Sequence, residues 1–267
     1  MSVQNYPVPR DVQNFLNGYP NGEDDETIDD NLKFYSNQLR CRPDNLLIDD
    51  LHRKSVCLGS TRLFCRAYCI PDGKEIMIRS SGNMDSYNGL LLLHLGTRFP
   101  IREPGMNGQS QVLQPHELTA LKEKPEAIER LVTSYKLMLD FYGMRLVSEE
   151  TGAIDRAHRY RNLVRSGHNY LRISRILKCL SEFGLERMNA PFLLHVLTEQ
   201  SREQLNNRAL IDSMDRWWLN CVRNNEEREW LAGVRQRVRQ GEPFTREMYT
   251  DALEQRLKTG SFKETNA

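Results

Sequence analysis

Residues 125–146 read PEAIERLVTSYKLMLDFYGMRL, and their apolar positions recur with the period of an α-helix. Spacings of three, four and seven residues place these side chains on one stripe, the face with which an amphipathic helix packs against a core. Gly143 follows near the end of the stretch as a helix break. The pattern predicts a long helix with a single buried face, formed by Ile128, Leu131, Val132, Tyr135, Met138, Leu139 and Tyr142.

Helical periods also occur elsewhere in the chain and predict an all-α fold. Gly184 supplies the C-cap signal of one predicted helix, and Pro191 opens the next. We expect a single irregular multi-helix globular domain over 30–258, followed by a frayed tail at 259–267. The other predicted helices cover 31–40, 116–122, 153–165, 169–183, 190–204, 207–222, 226–239 and 245–258.

The composition of the first 29 residues predicts a disordered, acidic N-terminal arm. Residues 1–22 are rich in Pro, Gly and Asn, and residues 23–30 contain six acidic side chains. Acidic groups stabilise the N-terminus of a helix through its dipole, and a short helix is predicted directly afterwards. The acidic cluster is therefore either the entry to that helix or a docking tail for a partner.

Residues 52–98 form an atypical segment that interrupts the predicted helical domain. They show no helical period, and short apolar pieces flank a Pro71-Asp72-Gly73-Lys74 turn, which is compatible with a weak hairpin. We expect this segment to contribute little to the stability of the fold.

Composition places the chain among ordinary globular proteins, with 27% charged and 39% hydrophobic residues over 267 positions. The net charge of +1 argues against a dedicated polyanion binder, so nucleic acid is not the expected partner. Residues 1–20 do not form a signal peptide, and the longest apolar run, Leu90–Leu93, is too short to span a bilayer. The six cysteines do not form a disulfide framework, so we expect reduced intracellular thiols, with Cys179 and Cys221 buried.

The sequence contains no recognisable motif for catalysis or cofactor binding. Nucleophile-elbow, zinc-protease and phosphate-loop patterns do not occur in it. One group of potential metal ligands matches no zinc-site spacing; it consists of His52, Cys57, Cys65 and Cys69. We therefore predict no catalytic residue, no metal and no cofactor, and a protein that is not an enzyme.

The largest asymmetry of charge lies between Arg156 and Lys178, where seven cationic and no acidic side chains occur. Helical geometry places three of its basic residues on one face of the helix predicted near 169–183, and the apolar residues on another face. An arginine fork matches a carboxylate bidentately. The candidate ligand-binding residues are therefore His168, Arg172, Arg175 and Arg165. The alternative is a solvated basic face that pairs with local acids.

The three tryptophans allow two interpretations. Trp217, Trp218 and Trp230 occur within helical patterns, which is typical of core positions. An aromatic platform that stacks on a ligand is the alternative.

Several blocks recur in the order of a known family. The most specific are FPIREPG at 99–105 and FYGMRL at 141–146; the others are NLKFY at 31–35, IDD at 48–50, 156–160 and 168–186, with a looser likeness over 190–218. In combination they resemble the conserved region of the opioid growth factor receptor family. Residues 52–98 resemble no part of it, and only Phe99-Pro100 remains of the run that usually precedes these blocks.

The resemblance implies a non-enzymatic intracellular receptor that binds an enkephalin-type peptide and negatively regulates cell proliferation. Such a peptide has two aromatic rings and a free C-terminal carboxylate. The resemblance also implies a cytoplasmic and nuclear, perinuclear localisation, peripheral contact with the nuclear membrane, and the nuclear import machinery as a partner. The alternative function is a helical interaction scaffold whose basic face binds an acidic protein or nucleic acid.

Overall fold

The computed structural model describes residues 7–41, 45–57, 99–105, 111–158, 160–165 and 167–263. Within these ranges the chain forms eleven α-helices, two short 3-10 helices and one pair of three-residue strands. The predicted all-α class is confirmed. The predicted single domain is divided by the packing into two compact units, one of Asp24–Phe141 and one of Met1–Glu23 with Tyr142–Ala267.

The described residues of the unit Asp24–Phe141 form four helices. They are α2 (Asp30–Tyr35), α3 (Ile48–Cys57), α4 (Pro115–Lys122) and α5 (Pro125–Tyr142), whose last residue begins the other unit. The helix predicted over 31–40 is therefore shorter than expected. The stripe of α5 is buried from Leu131 to Tyr142 as its spacing predicts, and α5 ends at Tyr142 because Gly143 adopts a φ of +87°.

A buried carboxylate holds α2 and α4 together. Glu117 is fully buried, and its Oε1 accepts a hydrogen bond from the backbone N–H of Leu32 at 3.1 Å. Its Oε2 accepts from Asn31 Nδ2 at 2.9 Å and from the backbone N–H of Gln114 at 3.0 Å, which completes a capping box at the start of α4. A second carboxylate, Asp49 on α3, receives a bidentate fork from Arg130 on α5, and this contact lowers the pKa of Asp49.

The second unit is built around a helix that is buried on all sides. This helix, α8 (Asn189–Ser201), is buried from Asn189 to Gln200, a pattern that places it in the centre of a core. The other helices among the described residues of this unit are α1 (Arg10–Leu16), α6 (Arg161–Arg165), α7 (His168–Glu182), α9 (Arg208–Arg216), α10 (Asn225–Arg239) and α11 (Arg246–Thr259), with 3-10 turns at Glu186–Met188 and Trp218–Asn220. Of these helices, α7, α10 and α11 pack against α8.

A hairpin replaces part of a predicted helix. The helix expected over 153–165 is wrong at its start, because Ile154–Arg156 forms strand β2, antiparallel to β1 (Met144–Leu146). Gly143 lies directly before β1, and Gly152 lies in the turn between the strands; both have positive φ. The first breaks helical continuity, and the second helps to reverse the chain. Helical structure resumes only at α6.

Both predicted termini are more ordered than expected. The arm predicted over 1–29 is not disordered at α1, whose Val12 and Phe15 are fully buried. The tail predicted to fray over 259–267 holds the buried Phe262, which stacks on Trp230 at 4.7 Å between ring centroids. In each case an apolar side chain packs against the unit and orders the segment around it. Of the atypical segment, 52–57 belong to α3, and 58–98 lie outside the described residues.

Candidate functional site

The four predicted ligand-binding residues lie on or just before α7, but in different environments. His168 is the first residue of the helix and is exposed, whereas Arg175 is partly buried. The side chain of Arg165 lies outside the described residues. Arg172 is buried, with 4% of its surface exposed, so the expectation that it is displayed on a cationic face is wrong.

The side chain of Arg172 is surrounded by protein atoms and not by solvent. Its Nη1 donates a hydrogen bond to Asn169 Oδ1, while its buried Nε and Nη2 have no hydrogen-bond partner among the described residues. Burial lowers the pKa of the Arg172 guanidinium, and Tyr142 lies close enough to act on it electrostatically. The side chain therefore faces the interior of the unit. Its role in ligand binding stays a prediction that needs an opening of this region.

An apolar groove lies on another face of α7, beside α9. Its volume is about 170 Å³, and it is lined by Gly167, Tyr170, Leu171, Ser174, Ser213 and Trp217. Leu171 is 56% exposed and lies outside the buried face of this helix. A cavity of about 150 Å³ accepts a benzene ring, so the groove has the size and the lining for one aromatic side chain.

Basic side chains flank this groove. On a helix, residues three and four apart are neighbours, so His168 and Arg175 lie one turn to either side of Leu171. The guanidinium of Arg216 stacks over the ring of Trp217, 4.7 Å from its centroid. The arrangement joins an apolar slot to positive charge, which suits a ligand that carries an aromatic ring and an anionic group.

The tryptophans divide between core and groove. Trp218 is fully buried, which confirms the core interpretation for one of the pair, whereas Trp217 is partly buried and lines the groove. The sequence offered Trp217 only through the alternative of a ligand-stacking platform, and it did not indicate Leu171 as a site residue. An available signal was Leu171 itself, since it lies outside the apolar stripe of its helix.

A buried polar cluster in the same unit was not predicted. His195 on α8 is 1% exposed, and its Nε2 lies 3.1 Å from the hydroxyl of Tyr160. Burial raises the pKa of Tyr160, and the buried carboxylate of Glu199 raises it further. Burial lowers the pKa of His195 to about 3, and Arg246 acts in the same direction. The histidine is therefore neutral in the folded chain.

This burial predicts a specific loss of stability in acid. Between pH 6.5 and about pH 3 the unfolded chain binds a proton at His195 that the folded chain does not bind, so the free energy of unfolding falls as pH falls. From pH 7 to pH 5 this group contributes a loss of about 2 kcal/mol. Urea denaturation at both pH values should show that His195→Gln loses about 2 kcal/mol less than the wild-type chain. Equal losses in the two chains would contradict the assignment.

The described residues also bear on metal binding and on membrane crossing. In the ranges that the structure describes, no three His, Cys, Asp or Glu side chains converge as metal ligands would. Two of the four residues in the cysteine-containing group noted in the sequence, Cys65 and Cys69, lie outside those ranges. Cys179 and Cys221 are buried thiols, as predicted. No helix among the described residues combines the length and the apolar character that crossing a membrane requires.

The unit is thus helical and carries an open groove that Tyr170 and Trp217 line and basic side chains flank. Residues 75–249 match the family model described as the opioid growth factor receptor (OGFr) conserved region, and the chain belongs to this family. The predicted resemblance is thus confirmed. The match begins inside the segment 52–98, so the expectation that this whole segment is unrelated to the family is wrong for 75–98.

Relatives with established names show the same relationship. The chain is 35% identical over 204 residues to the mouse opioid growth factor receptor, covering 73% of this chain and 28% of that protein. It is 33% identical over 202 residues to the human receptor, covering 73% and 26%. It is 30% identical over 240 residues to mouse opioid growth factor receptor-like protein 1, covering 85% and 44%. The chain thus spans less than half the length of these relatives, and no solved structure matches it.

Proposed function

We propose that this chain is a non-enzymatic receptor that binds an enkephalin-type peptide in the groove between α7 and Trp217. The name of the family, opioid growth factor receptor, indicates an opioid peptide as the class of ligand, and the relatives are named as receptors. The proposal includes negative regulation of cell proliferation and a cytoplasmic, nuclear and perinuclear localisation with uptake by the nuclear import machinery. Imaging of a fluorescently tagged chain and cell counts after its overexpression test these parts.

The observation that supports this function best is the exposed Leu171 at a groove with room for one aromatic ring. One ring of the peptide fills the groove against Trp217. The C-terminal carboxylate then reaches a cation on the flank, and Arg175 is the best placed of the predicted residues, since it lies one turn beyond Leu171. A hydrogen bond to a charged group contributes about 1.5–3 kcal/mol, which corresponds to a tenfold or larger effect on affinity.

Leu171→Glu should weaken binding of enkephalin pentapeptide at least tenfold. The substituted side chain places a negative charge in the groove, where it repels the ligand carboxylate and removes apolar contact. Calorimetric titration of the purified full chain measures the affinity, with a scrambled pentapeptide as the reference ligand.

Leu257→Glu is the matched control. Leu257 lies on α11, is 54% exposed, and does not line the groove. It should leave peptide affinity unchanged, while Arg175→Ala should lower it. If the wild-type chain does not distinguish the pentapeptide from the scrambled peptide, the proposed function fails. If Leu171→Glu binds as the wild type does, the groove is not the site.

A further inference from the structure

Helix α1 is attached to its unit by side chains. Val12 and Phe15 are fully buried and Tyr19 is nearly so. The hydrogen bonds described between backbone groups of residues 9–22, however, all have both partners within that segment. A helix of seven residues is too short to be stable on its own in water. The order of α1 therefore depends on the surface beneath it.

That surface is a slot built from charged side chains, here called the Lys178 slot and formed by Lys178, Glu182 and Arg223. The guanidinium of Arg223 lies 4.3 Å from the centroid of the Phe15 ring, and the ammonium of Lys178 lies 5.9 Å from it. Both distances fall within the range of cation–π attraction. Arg223 Nη2 also donates to the Phe15 carbonyl at 3.2 Å and pairs with Glu182.

A carboxylate completes the contact. Lys178 Nζ donates to Asp11 Oδ2 at 2.9 Å; the Lys178 side chain is 2% exposed, whereas that of Asp11 is 47% exposed. Asp11 and Phe15 are four residues apart and so share one face of α1. The slot thus recognises a simple pattern, an acidic residue followed by an aromatic residue one helical turn later.

The slot lies inside the region shared with the family, and α1 lies outside it. Lys178, Glu182 and Arg223 lie inside the range that matches the family model, whereas α1 lies before that range begins. The slot and the groove lie on the same face of α7 but are separate sites, because two helical turns lie between Leu171 and Lys178. The unit therefore presents one prepared surface that a short terminal helix of the same chain already covers.

We propose that the Lys178 slot is an interaction surface for a helix of a partner protein that carries a carboxylate and an aromatic ring four residues apart. Helix α1 is the internal occupant of this surface, and a partner helix binds by displacing it. Competition with a tethered segment lowers the apparent affinity of the partner, because the slot is available only when α1 is undocked. This surface is additional to the proposed opioid-peptide groove and does not depend on it.

The test uses a fluorescently labelled peptide with the sequence of residues 7–20, PVPRDVQNFLNGYP, and measures its binding to full-length chains by anisotropy. Phe15→Ala in the chain empties the slot, so this chain should bind the peptide at least tenfold more tightly than the wild-type chain does. Asp11→Asn, which changes no core side chain, should give a smaller increase in the same direction. Asn14→Ala, an exposed position on α1, is the matched control and should behave as the wild type.

Specificity is tested on both sides of the contact. The peptide that carries Phe15→Ala or Asp11→Asn should lose at least tenfold in affinity for the Phe15→Ala chain, and Lys178→Met in that chain should abolish binding. Leu171→Glu in the same background should leave binding intact, because the groove is a different site. If the Phe15→Ala and Asp11→Asn chains bind no peptide, or bind the wild-type and substituted peptides equally, α1 is a fixed part of the core and the proposal is overturned.

Discussion

Trp218→Ala should lower the free energy of unfolding by about 3–5 kcal/mol, the range for truncating a buried large aromatic residue. The indole ring is fully buried, and it packs edge-on against Tyr170 and Phe192 with centroid distances of 5.9 and 6.3 Å. Its Nε1–H donates to the backbone carbonyl of Tyr170 at 3.0 Å, and the substitution also removes this hydrogen bond. Urea denaturation followed by circular dichroism measures the loss.

Trp217→Ala is the control for this prediction, because it removes the same side chain from the neighbouring position. Trp217 is only partly buried and lines the groove, so its loss should cost about 1 kcal/mol or less. Its effect should appear in peptide affinity instead. Equal destabilisation by the two substitutions would show that the groove is part of the core.

Gly152→Ala should destabilise the chain by about 3 kcal/mol. Gly152 has a φ of +71°, which L-residues rarely adopt, and a Cβ atom there would lie 2.6 Å from the carbonyl oxygen of Arg187 and 2.9 Å from Met188 Cα. Both neighbours are backbone atoms, so the turn of the β1–β2 hairpin would have to move away from the adjoining 3-10 turn. Thermal unfolding of the purified variant detects the loss as a lowered Tm.

Gly184→Ala separates the two causes of this effect. Gly184 has nearly the same φ, +73°, but a Cβ atom at that position would meet nothing within 4 Å. Its substitution should therefore cost only the conformational term, about 1–2 kcal/mol. If both alanine variants lose the same stability, the close approach of backbone at Gly152 has no energetic weight.

The long helices could be predicted because each presents a sustained apolar period. The stripe of α5 and the stops at Gly143 and Gly184 were all visible in the sequence, and the helices at 189–201, 225–239 and 246–259 differ from prediction by a few residues at most. Periodicity works where a helix buries one face, whereas α8, which is buried on all sides, was predicted with Pro191 as its start signal.

The short elements could not be predicted, because residues far away in the sequence stabilise them. The strands β1 and β2 contain three residues each, too few to show an alternating pattern. Helix α1 has Val12 and Phe15 as its buried anchors, and Tyr19 lies just beyond its end in a Pro- and Asn-rich segment. Lys178 and Arg223, which hold Phe15, follow it by more than 160 residues.

The candidate site shows the same division. The basic residues of α7 could be grouped from the sequence, but a helical wheel cannot say which face of the helix packs against the protein. Arg172 was predicted on the displayed face and is buried, while Leu171, an apolar residue, is exposed. Trp217 and Trp218 are adjacent in sequence and were assigned the same setting, yet only one is in the core.

The sequence by itself determined the helical class, the family and the order of the main helices, since these depend on local periodicity and on blocks of residues read in sequence. Tertiary structure alone decided which side chains are available to a ligand. Burial depends on what packs against each face, and those neighbours come from distant parts of the chain. For this reason the groove beside Leu171 and the slot beneath α1 emerged only when the packed unit was seen.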